Sequence, residues 1–369
     1  MRSPNFIMQR IFMPVGQGAF YIEKFNDGFT VVYDCGSYKN TSIVEKNIKN
    51  SILDTKKIDL LVISHYHEDH INGLEYLFKN FDVKRMLMPY LNLTEKIESF
   101  IDADIKNNSN EFNKIFCIDP NKALKDNFGK STEITFVHPE ESSQSNEVDI
   151  QTLSQSINSG DKITCNVTNY TWSYIPFNFQ DTKRTEQFKK LTEHLDLDSV
   201  DKFRDYYEKN KKELIDIYEK VEGDKNTNSL VLYSGVYSRA NSPSIKTTTY
   251  SRRKSFSFTQ NISGCLYLGD YDAKGSRKMK VVEEKYKSFY TEISTIQIPH
   301  HGSRCNYNPR LNFKPNIISV ISAGINNKFE HPHSETLKQI TIQNGIVILV
   351  TEEEETKLTQ SIYLRETYR

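Results

Sequence analysis

Short apolar runs and segments of helical periodicity alternate along the first part of the chain. The apolar runs at residues 7–14, 30–37 and 58–64 are typical of buried strands. Residues 41–55 and 73–81 instead carry apolar side chains near the 3.6-residue period, which predicts helices between the strands. Because strands and helices follow one another in this way, the pattern predicts an α/β protein built on a layered sheet.

The pattern changes in the middle of the chain. Residues 141–161 are polar and predict loops, whereas residues 164–179 predict a strand. Residues 185–221 predict two charged amphipathic helices. We interpret residues 140–223 as an insertion or lid within a single domain that covers residues 1–369, since no stretch rich in proline or glycine marks a domain boundary.

Apolar strands return after this insertion. They are predicted at residues 229–233, 264–269, 295–299, 316–322, 346–350 and 361–364. A helix with Ser334 as its cap is predicted before the last two strands. The acidic run at residues 352–355 lies between those two strands, and its charge favours a solvated hairpin turn.

Composition and charge narrow the class of protein. The chain has 369 residues with 48 basic and 48 acidic side chains, so any attraction to nucleic acid must come from a local basic surface. Its five cysteines are scattered without a C-x-x-C pair and are typical of reduced thiols in an intracellular protein. Residues 1–20 lack the apolar core of a signal peptide and no apolar run reaches about eighteen residues, so we expect a cytoplasmic protein without a membrane span.

The densest cluster of potential metal ligands follows the strand at residues 58–64. It consists of His65, His67, Asp69 and His70. Imidazole and carboxylate groups are the ligands that zinc and similar divalent cations prefer. His65 and His67 leave an extended backbone on the same side, whereas the other two turn toward a neighbouring point. Two adjacent metal ions could share the four side chains more easily than one could, so the stretch predicts half of a two-metal hydrolytic site rather than a solvated polar loop.

Other ligand-type side chains follow later strands in the same way. Asp270 comes after the strand at residues 264–269. His300 and His301 come after the strand at residues 295–299. Ligands from several strand ends that converge at one sheet edge form the usual site of an α/β protein. Asp270 alone could equally be a turn residue, but the combination predicts the second half of the metal site.

The His-x-His-x-Asp-His motif at residues 65–70 resembles the signature of the metallo-β-lactamase fold superfamily. That resemblance implies an αββα sandwich, here with a helical insertion, and metals at the edge where the strands end. The succession of motifs resembles the hydrolase domain of ComEC-type DNA-uptake (competence) proteins and their stand-alone relatives, over most of the chain outside residues 140–223. These motifs are residues 15–18, 34–36, 64–70, 228–232, 268–270, 299–303, 322–324 and 331–332.

The resemblance also implies a role for each ligand. His65 and His67 would hold the first metal ion, Asp69, His70 and His301 the second, and Asp270 would bridge both. We choose His301 over His300 because the superfamily's ligand directly precedes the glycine, and His300 would then support the site or contact substrate. The aspartate at Asp34 would support the metal-binding loop from behind, although an ordinary turn aspartate fits the sequence equally well.

One position departs from the superfamily pattern. A third histidine for the first metal ion commonly precedes the strand at residues 229–233, but residues 224–228 contain none, and Asn226 stands near that place. Because a neutral amide is a weaker ligand, the first site would be looser or only partly filled. We therefore expect two divalent metal ions, zinc or manganese, with magnesium also compatible.

A site of this kind predicts hydrolysis. Two adjacent metal ions would lower the pKa of a bridging water and stabilise charge on the attacked oxygen. Asp69 would orient that water, and His300 and His331 are the other candidate catalytic residues. His331 could contact a phosphate oxygen or assist the leaving group, or it could simply stand at the entry of a helix before Pro332.

A basic segment indicates the substrate. Between residues 229 and 268 no acidic side chain occurs, whereas Arg252, Arg253 and Lys254 lie among aromatic residues. A basic hairpin with aromatic faces suits single-stranded nucleic acid, although chance charge bias in a soluble hairpin would give the same sequence.

Three functions are compatible with these patterns. The first is phosphodiester cleavage in DNA or RNA by a phosphodiesterase or nuclease, with nucleic acid as the partner; which proteins it binds is not determined by the sequence. The second is a metal-dependent hydrolase of a small phosphodiester, thioester or lactone, since the same metals serve all of these. The third is a non-catalytic metal-binding regulatory module, which the missing third histidine keeps open.

Overall fold

The protein is described here by a computed structural model, which covers most of the chain. The described residues are 6–38, 40–51, 56–106, 110–129, 131–141, 146–167, 170–179, 182–223, 229–236, 245–251 and 256–364. Two β-sheets lie face to face and helices cover their outer faces. This is the αββα sandwich that the sequence predicts, so the predicted fold class is confirmed.

The strands follow the apolar runs closely. In chain order they are β1 (Phe6–Phe12), β2 (Tyr21–Phe25), β3 (Thr30–Tyr33), β4 (Lys57–Val62), β5 (Asp82–Pro89), β6 (Glu133–Glu141), β7 (Glu147–Asp149), β8 (Ser156–Ser159), β9 (Lys162–Val167), β10 (Tyr170–Asn178), β11 (Leu230–Val236), β12 (Ile245–Ser251), β13 (Phe256–Gln260), β14 (Gly264–Tyr267), β15 (Ile293–Gln297), β16 (Ile318–Ser322), β17 (Ile346–Val350) and β18 (Leu358–Leu364).

The helices lie mostly between these strands. They are α1 (Thr41–Lys49), α2 (Glu68–Ile71), α3 (Leu74–Asn80), α4 (Leu93–Ile105), α5 (Glu111–Ile118), α6 (Pro120–Phe128), α7 (Lys183–Leu191), α8 (Val200–Lys220), α9 (Ser276–Tyr286) and α10 (Ser334–Ile342). Helices α5 and α9 were not predicted from the sequence, although Met279, Val282 and Tyr286 of α9 are buried at helical spacing. The N-cap of α10 is His333, not Ser334 as predicted.

Within the described residues, one sheet has the strand order β13-β12-β18-β1-β2-β3-β4-β5-β6-β8 and the other β17-β16-β15-β14-β11-β10-β9-β7. Apolar side chains from both sheets, among them Phe12 and Trp172, form one shared core. The outer face of the first sheet packs on α1, α3, α5 and α6, and that of the second packs on α9 and α10. Removal of these apolar faces from water is the main force that holds the layers together.

Parallel pairing brings the ends of several strands to one edge of the sandwich. Strands β3 to β6 pair in parallel, and so do β14 to β17. His65 follows β4, Asp270 follows β14, and His300 and His301 follow β15. Because the carboxyl ends of parallel strands meet at the same edge, these side chains converge there.

The segment interpreted as an insertion contributes to both sheets. Strand β8 pairs with β6, and β10 pairs with β11 in the other sheet. Helices α7 and α8 form an added layer that packs on α4, with Phe100 and Phe203 in edge-to-face contact at 5.2 Å between ring centroids. We propose a single domain of residues 1–369. The added helical element within it covers residues 182–223, which is part of the insertion predicted at residues 140–223.

The acidic run at residues 352–355 is not a hairpin turn, and that prediction was wrong. The strands on either side of it, β17 and β18, belong to different sheets, so the run links the two layers. The Glu352 carboxylate accepts a hydrogen bond from the backbone N–H of Ile325 at 2.8 Å. The acidic side chain therefore ties the loop after β16 to the crossover between the sheets.

A buried ion pair between β1 and β2 of the first sheet is hydrogen-bonded to residues of the second sheet. Arg10 Nε donates to Glu23 Oε1 at 2.8 Å, and Arg10 Nη1 donates to the carbonyl of Ser263 at 2.9 Å. The hydroxyls of Tyr174 and Tyr267 each donate to the Glu23 carboxylate at 2.9 Å. Burial alone would lower the pKa of Arg10, but the Glu23 carboxylate outweighs this and raises that pKa above its ordinary value.

The cysteines and the helices bear on the expected cellular environment of the chain. All five cysteines have free thiols, and four of them are buried. Within the described part of the chain, no helix combines the length and the apolar character that crossing a membrane requires.

Candidate metal centre

The loop after β4 carries the densest group of ligand-type side chains. His65 and His67 extend from a backbone that is still strand-like, with φ −74° and ψ 151° at His67. Asp69 and His70 lie in the single turn of α2, which begins at Glu68, directly after His67. The backbone thus changes from extended to helical between the two pairs of side chains, and the His65 and His70 rings lie with their centroids 4.0 Å apart.

Two glycines hold this loop in place. A Cβ on Gly36 would lie 2.4 Å from the carbonyl carbon of Asp69, and a Cβ on Gly18 would lie 2.4 Å from the carbonyl oxygen of Gly36. Two backbone hydrogen bonds accompany this close approach, from Ala19 N to the Asp69 carbonyl at 3.2 Å and from Cys35 N to the His70 carbonyl at 2.8 Å. The glycines are needed because the backbones touch directly.

Two groups of side chains could each hold a metal ion. One consists of Asp69, His70, Asp270 and His301, and the other of His65, His67 and Asp270. In each group one potential ligand atom per residue lies within 4.8 Å of all the others. His65 Nε2 is 3.6 Å from Asp270 Oδ2, whereas His70 Nε2 is 3.3 Å from Asp270 Oδ1. The two oxygens of one carboxylate thus face different groups.

The histidine nitrogens fit metal binding. His70 Nδ1 lies 2.7 Å from Asp34 Oδ2, and His301 Nδ1 lies 2.8 Å from the carbonyl oxygen of Ser322. Each of these nitrogens therefore carries the proton in a neutral ring and leaves Nε2 with its lone pair. Within the described residues, the buried Nε2 atoms of His65 and His70 make no hydrogen bond. Imidazoles fixed through one nitrogen while the other faces a shared point are typical of metal ligands.

His65 is fixed by a similar chain of hydrogen bonds. Ser64 Oγ donates its only proton to Asp34 Oδ2 at 2.6 Å. The same Oγ lies 2.9 Å from His65 Nδ1 and can only accept there, so Nδ1 of His65 carries the proton. Asp34, fully buried beneath the loop, thereby orients two of the histidines.

Burial and charge separate the histidines into two pairs. Burial lowers the pKa of His65 well below its ordinary value and that of His67 to about 4, so both rings are neutral at neutral pH. Burial opposes protonation of His70 and His301 as well, but the neighbouring carboxylates, Asp270 and Asp69 among them, together outweigh it and raise the pKa of both. Protons and metal ions therefore compete for the second pair of rings.

His300 and His331 lie beside these groups rather than within them. His300 Nε2 is 3.9 Å from Asp270 Oδ2, and His300 and His301 both have a positive φ, at 47° and 54°. This left-handed backbone is unusual for residues other than glycine, and it directs two successive imidazoles to the site. Gln17 Nε2 lies 3.2 Å from His331 Nδ1, and burial together with the neighbouring imidazoles lowers the pKa of His331 to about 3.

One acidic residue near the first group was not predicted from the sequence. Asp102 of α4 is buried, and its Oδ2 lies 3.8 Å from His67 Nε2. The Lys106 ammonium pairs with Asp102, and the Tyr218 hydroxyl of α8 donates to Asp102 Oδ1 at 3.2 Å. Burial would lower the pKa of Lys106, but the Asp102 carboxylate outweighs it and raises that pKa. The spacing of Asp102 and Lys106 indicates only an ion pair on the surface of one helix. Nothing in the sequence indicated that Asp102 would lie near His67.

A cleft of about 630 Å³ opens over both groups. Besides the histidines and carboxylates, its lining includes Gln17, Tyr38, Lys106, Lys328 and Phe329. Lys106 lies on the side of His67. Lys328 lies over the ring of Phe329, which stacks on His331 on the side of the second group. The cleft therefore has a cationic side chain near each of the two groups.

Several predicted contact residues lie outside the described residues. These are Asn226, Arg252, Arg253 and Lys254. The hairpin of β12 and β13 that flanks residues 252–255 is present. Its end at Ser251 lies at the same sheet edge as Val62, since the register runs across β18, β1, β2 and β3. Ser251 and Val62 are five inter-strand spacings apart, which is roughly 24 Å. A polynucleotide could span this distance, but a small diester could not.

Replacing Asp34 by asparagine should weaken metal binding at the second group. The amide would present an N–H to His70 Nδ1 and so favour the ring tautomer that has its proton on Nε2. Loss of an orienting partner of this kind lowers metal affinity by about 10- to 100-fold. Calorimetric titration with Mn²⁺ or Zn²⁺ measures the effect, and Asp27→Asn, at a turn aspartate that caps Phe29 N, is the control. Equal affinity in both variants would contradict the role of Asp34.

Comparisons with known proteins bear on the fold. Residues 14–91 match the family model described as the metallo-beta-lactamase superfamily. A search of curated protein sequences gives no match. Among solved structures, the long form of RNase Z from yeast is 8% identical with a TM-score of 0.34, covering 79% of this chain and 32% of its own. This chain thus spans about a third of the length of that protein.

Two β-lactamase structures cover more of their own length. MEM-A1, a subclass B3 metallo-β-lactamase from a soil metagenome library, is 8% identical with a TM-score of 0.32, covering 80% of this chain and 77% of its own. MIM-1 from Novosphingobium pentaromativorans is 11% identical with a TM-score of 0.31, covering 90% and 87%. Identities this low carry no information about substrate. The chain has the metallo-β-lactamase fold, and its segment from residue 14 to residue 91, which contains the His-x-His-x-Asp-His motif, matches the sequence model of that superfamily.

Proposed function

We propose that the protein is a metal-dependent hydrolase that cleaves phosphodiester bonds in DNA or RNA. The observation that carries the proposal is the position of Asp270, whose two carboxylate oxygens face separate groups of ligand-type side chains. A carboxylate shared in this way suits two adjacent divalent cations. His65 and His67 would hold the first cation with Asp270, and Asp69, His70 and His301 would hold the second.

The metal ions are proposed to be zinc or manganese, with a weaker first site. The first group has three ligand-type residues and the second has four. The first group is therefore expected to lose its cation more readily. When bound, the two cations would lower the pKa of a water molecule and stabilise charge that develops on a phosphate oxygen.

The protein's own side chains would position substrate and water. His70 and His301 outweigh burial and hold the pKa of Asp69 below its ordinary value, so Asp69 remains ionised and can accept a hydrogen bond from water. Gln17 Nε2 donates to Nδ1 of His331, so the neutral ring of His331 presents an N–H on Nε2. This N–H suits a non-bridging phosphate oxygen, so we assign His331 to phosphate contact rather than to protonation of the leaving group. His300 lines the cleft beside it.

Charge at the cleft supports a phosphorylated substrate. Lys106 and Lys328 both line the cleft and would attract the anionic backbone of a polynucleotide. The hairpin of β12 and β13 lies along the same sheet edge, and the order of motifs resembles the ComEC-type hydrolase domain. We also propose a cytoplasmic location, since the free thiols of all five cysteines suit a reducing compartment.

A small substrate is the second candidate. The cleft volume of about 630 Å³ lies within the range of small-ligand sites, which supports a phosphodiester, thioester or lactone of low molecular weight. A regulatory module without catalysis is less well supported, because both groups of ligand-type side chains are complete enough to hold cations.

Incubation with a substrate panel tests the proposal. Purified protein, stripped with a chelator and reloaded with Mn²⁺ or Zn²⁺, would be given single- and double-stranded DNA, RNA, bis(p-nitrophenyl) phosphate, a thioester and a lactone. We expect metal-dependent cleavage of a polynucleotide that Asp69→Asn lacks. Cleavage of only the small compounds would favour the second candidate, and no cleavage despite bound metal would overturn both.

Removing the positive charges at residues 252–254 distinguishes a role of these residues in binding a polynucleotide from a role in the cleavage reaction. We expect the triple variant Arg252→Ala, Arg253→Ala and Lys254→Ala to raise the KM for polynucleotide and to make polynucleotide binding less dependent on salt concentration, while sparing cleavage of the small diester. The control is the triple variant Lys209→Ala, Lys212→Ala and Lys220→Ala on exposed positions of α8. Equal loss on polynucleotide and small diester would contradict a role in binding.

A further inference from the structure

A partly exposed aromatic and cationic rim borders the cleft on the side of the second ligand group. This rim consists of Tyr38, Lys328 and Phe329. The two rings meet edge to face at 5.2 Å between centroids. Lys328 Nζ lies 5.1 Å from the Tyr38 centroid and 5.2 Å from the Phe329 centroid, so its ammonium is held over both rings.

The rim is connected to the ligand groups by stacked rings. Phe329 and His331 are nearly parallel, with planes 24° apart and centroids separated by 5.7 Å. His331 and His301 are inclined by 29° with centroids 6.3 Å apart. Phe329 is thus two ring-to-ring steps from a proposed metal ligand. A planar group stacked on Phe329 would belong to the part of the substrate next to the reacting phosphate.

The exposure of Phe329 is not explained by packing. Its side chain is 39% exposed, one of few large apolar side chains in the described part of the chain with this much contact with water. Single exposed apolar residues are common and need no function. Here, however, the exposed ring lines the cleft, and an ammonium group is fixed beside it.

We propose that the rim is a subsite for a nucleobase of the polynucleotide substrate, with Phe329 stacking on the base and Lys328 contacting an adjacent phosphate. The inference rests on the proposed function and names the part of the substrate that the cleft recognises. Every base has a flat π-face, so the subsite would accept all bases with little sequence preference. Lys328 supplies the positive charge that a neighbouring phosphate needs.

Replacing Phe329 by leucine tests the stacking contact. Leucine keeps the apolar character but removes the flat face, and we expect the KM for an oligonucleotide to rise roughly tenfold, with Phe329→Tyr close to wild type. Oligonucleotides with one abasic position, scanned along the chain, should reproduce the loss at one position only. On that abasic substrate, Phe329→Leu should have no further effect, since the contact has already been removed.

Replacing Lys328 by glutamine tests the phosphate contact. Loss of one contact to a single-stranded backbone should make the slope of log K against log salt concentration shallower by about 0.7. Binding is measured by fluorescence anisotropy in Asp270→Asn protein, so that cleavage does not interfere. An unchanged slope would show that Lys328 supports the rings only, and it would remove the phosphate part of the proposal.

Tyr90→Leu is the matched control for Phe329→Leu. Tyr90 is also an exposed ring stacked on a histidine, with 4.2 Å between the ring centroids of Tyr90 and His138. It is not among the described residues that line the cleft. If wild type cleaves oligonucleotides but Phe329→Leu matches Tyr90→Leu on every substrate, the subsite is wrong and the proposed function stands. If wild type cleaves no polynucleotide and binds none, the proposed function fails first.

Discussion

Replacing Asp270 by asparagine is expected to lower the rate of hydrolysis by more than about a hundredfold, because supporting contacts of a metal site alone account for 10- to 100-fold. The amide has the shape of the carboxylate but lacks its charge, and its nitrogen cannot bind a cation. Since Asp270 Oδ2 faces His65 and Oδ1 faces His70, one substitution affects both groups at once. We expect the variant to bind fewer than two metal ions per chain, measured by elemental analysis.

The control for this variant is Asp272→Asn. Asp272 lies two residues further along the same loop and pairs with Lys278 at 2.9 Å, outside both ligand groups. It should retain metal content and kcat, and circular dichroism should show that both variants are folded. Full metal content and a rate within tenfold of wild type in Asp270→Asn would contradict the bridging role.

Replacing Arg10 by methionine is expected to lower the free energy of unfolding by about 3–5 kcal/mol, since removing one partner leaves a buried charge uncompensated. Glu23 would keep the hydroxyl donors of Tyr174, Ser234 and Tyr267 but lose its only cation among the described residues in contact with it. Urea denaturation followed by fluorescence measures the change.

A double replacement separates the ion pair from simple packing. The double variant Arg10→Met and Glu23→Leu should recover much of the lost stability, because apolar groups of similar volume tolerate the site better than one unpaired charge. Lys202→Met, at an exposed ion pair with Asp196 and Asp198, should leave the urea midpoint nearly unchanged. If Arg10→Met also leaves that midpoint unchanged, the buried pair does not stabilise the fold.

The spacing of residues determines how much of the site can be predicted from sequence. His65, His67, Asp69 and His70 lie within a stretch too short to separate, so their proximity follows from local geometry alone. Asp270 and His301 could be added because parallel strands end at one edge, a rule that needs only the order of strands. Their assignment as ligands remains a prediction, whereas the sandwich itself is confirmed.

Other parts of the site depend on how separate elements pack. Asp102 approaches His67 only because α4 crosses near the end of β4, and a helix pair in the sequence does not indicate that contact. Phe329 and Lys328 lie on an irregular loop whose pattern has no period to interpret. The strands of residues 146–178 were missed in part because β7 and β8 are only three and four residues long, too short for a pattern of alternation.

The direct backbone contact at Gly18 and Gly36 has a consequence for how the protein would choose among cations. With no side chain between the loops, the polypeptide scaffold rather than the ion sets the positions of Asp69 and His70. A rigid cage discriminates by ionic radius and preferred coordination number, since it does not adapt to each ion. Exchange of manganese for zinc should therefore change turnover without displacing the main chain, and the metal-free protein should already be preorganised for loading.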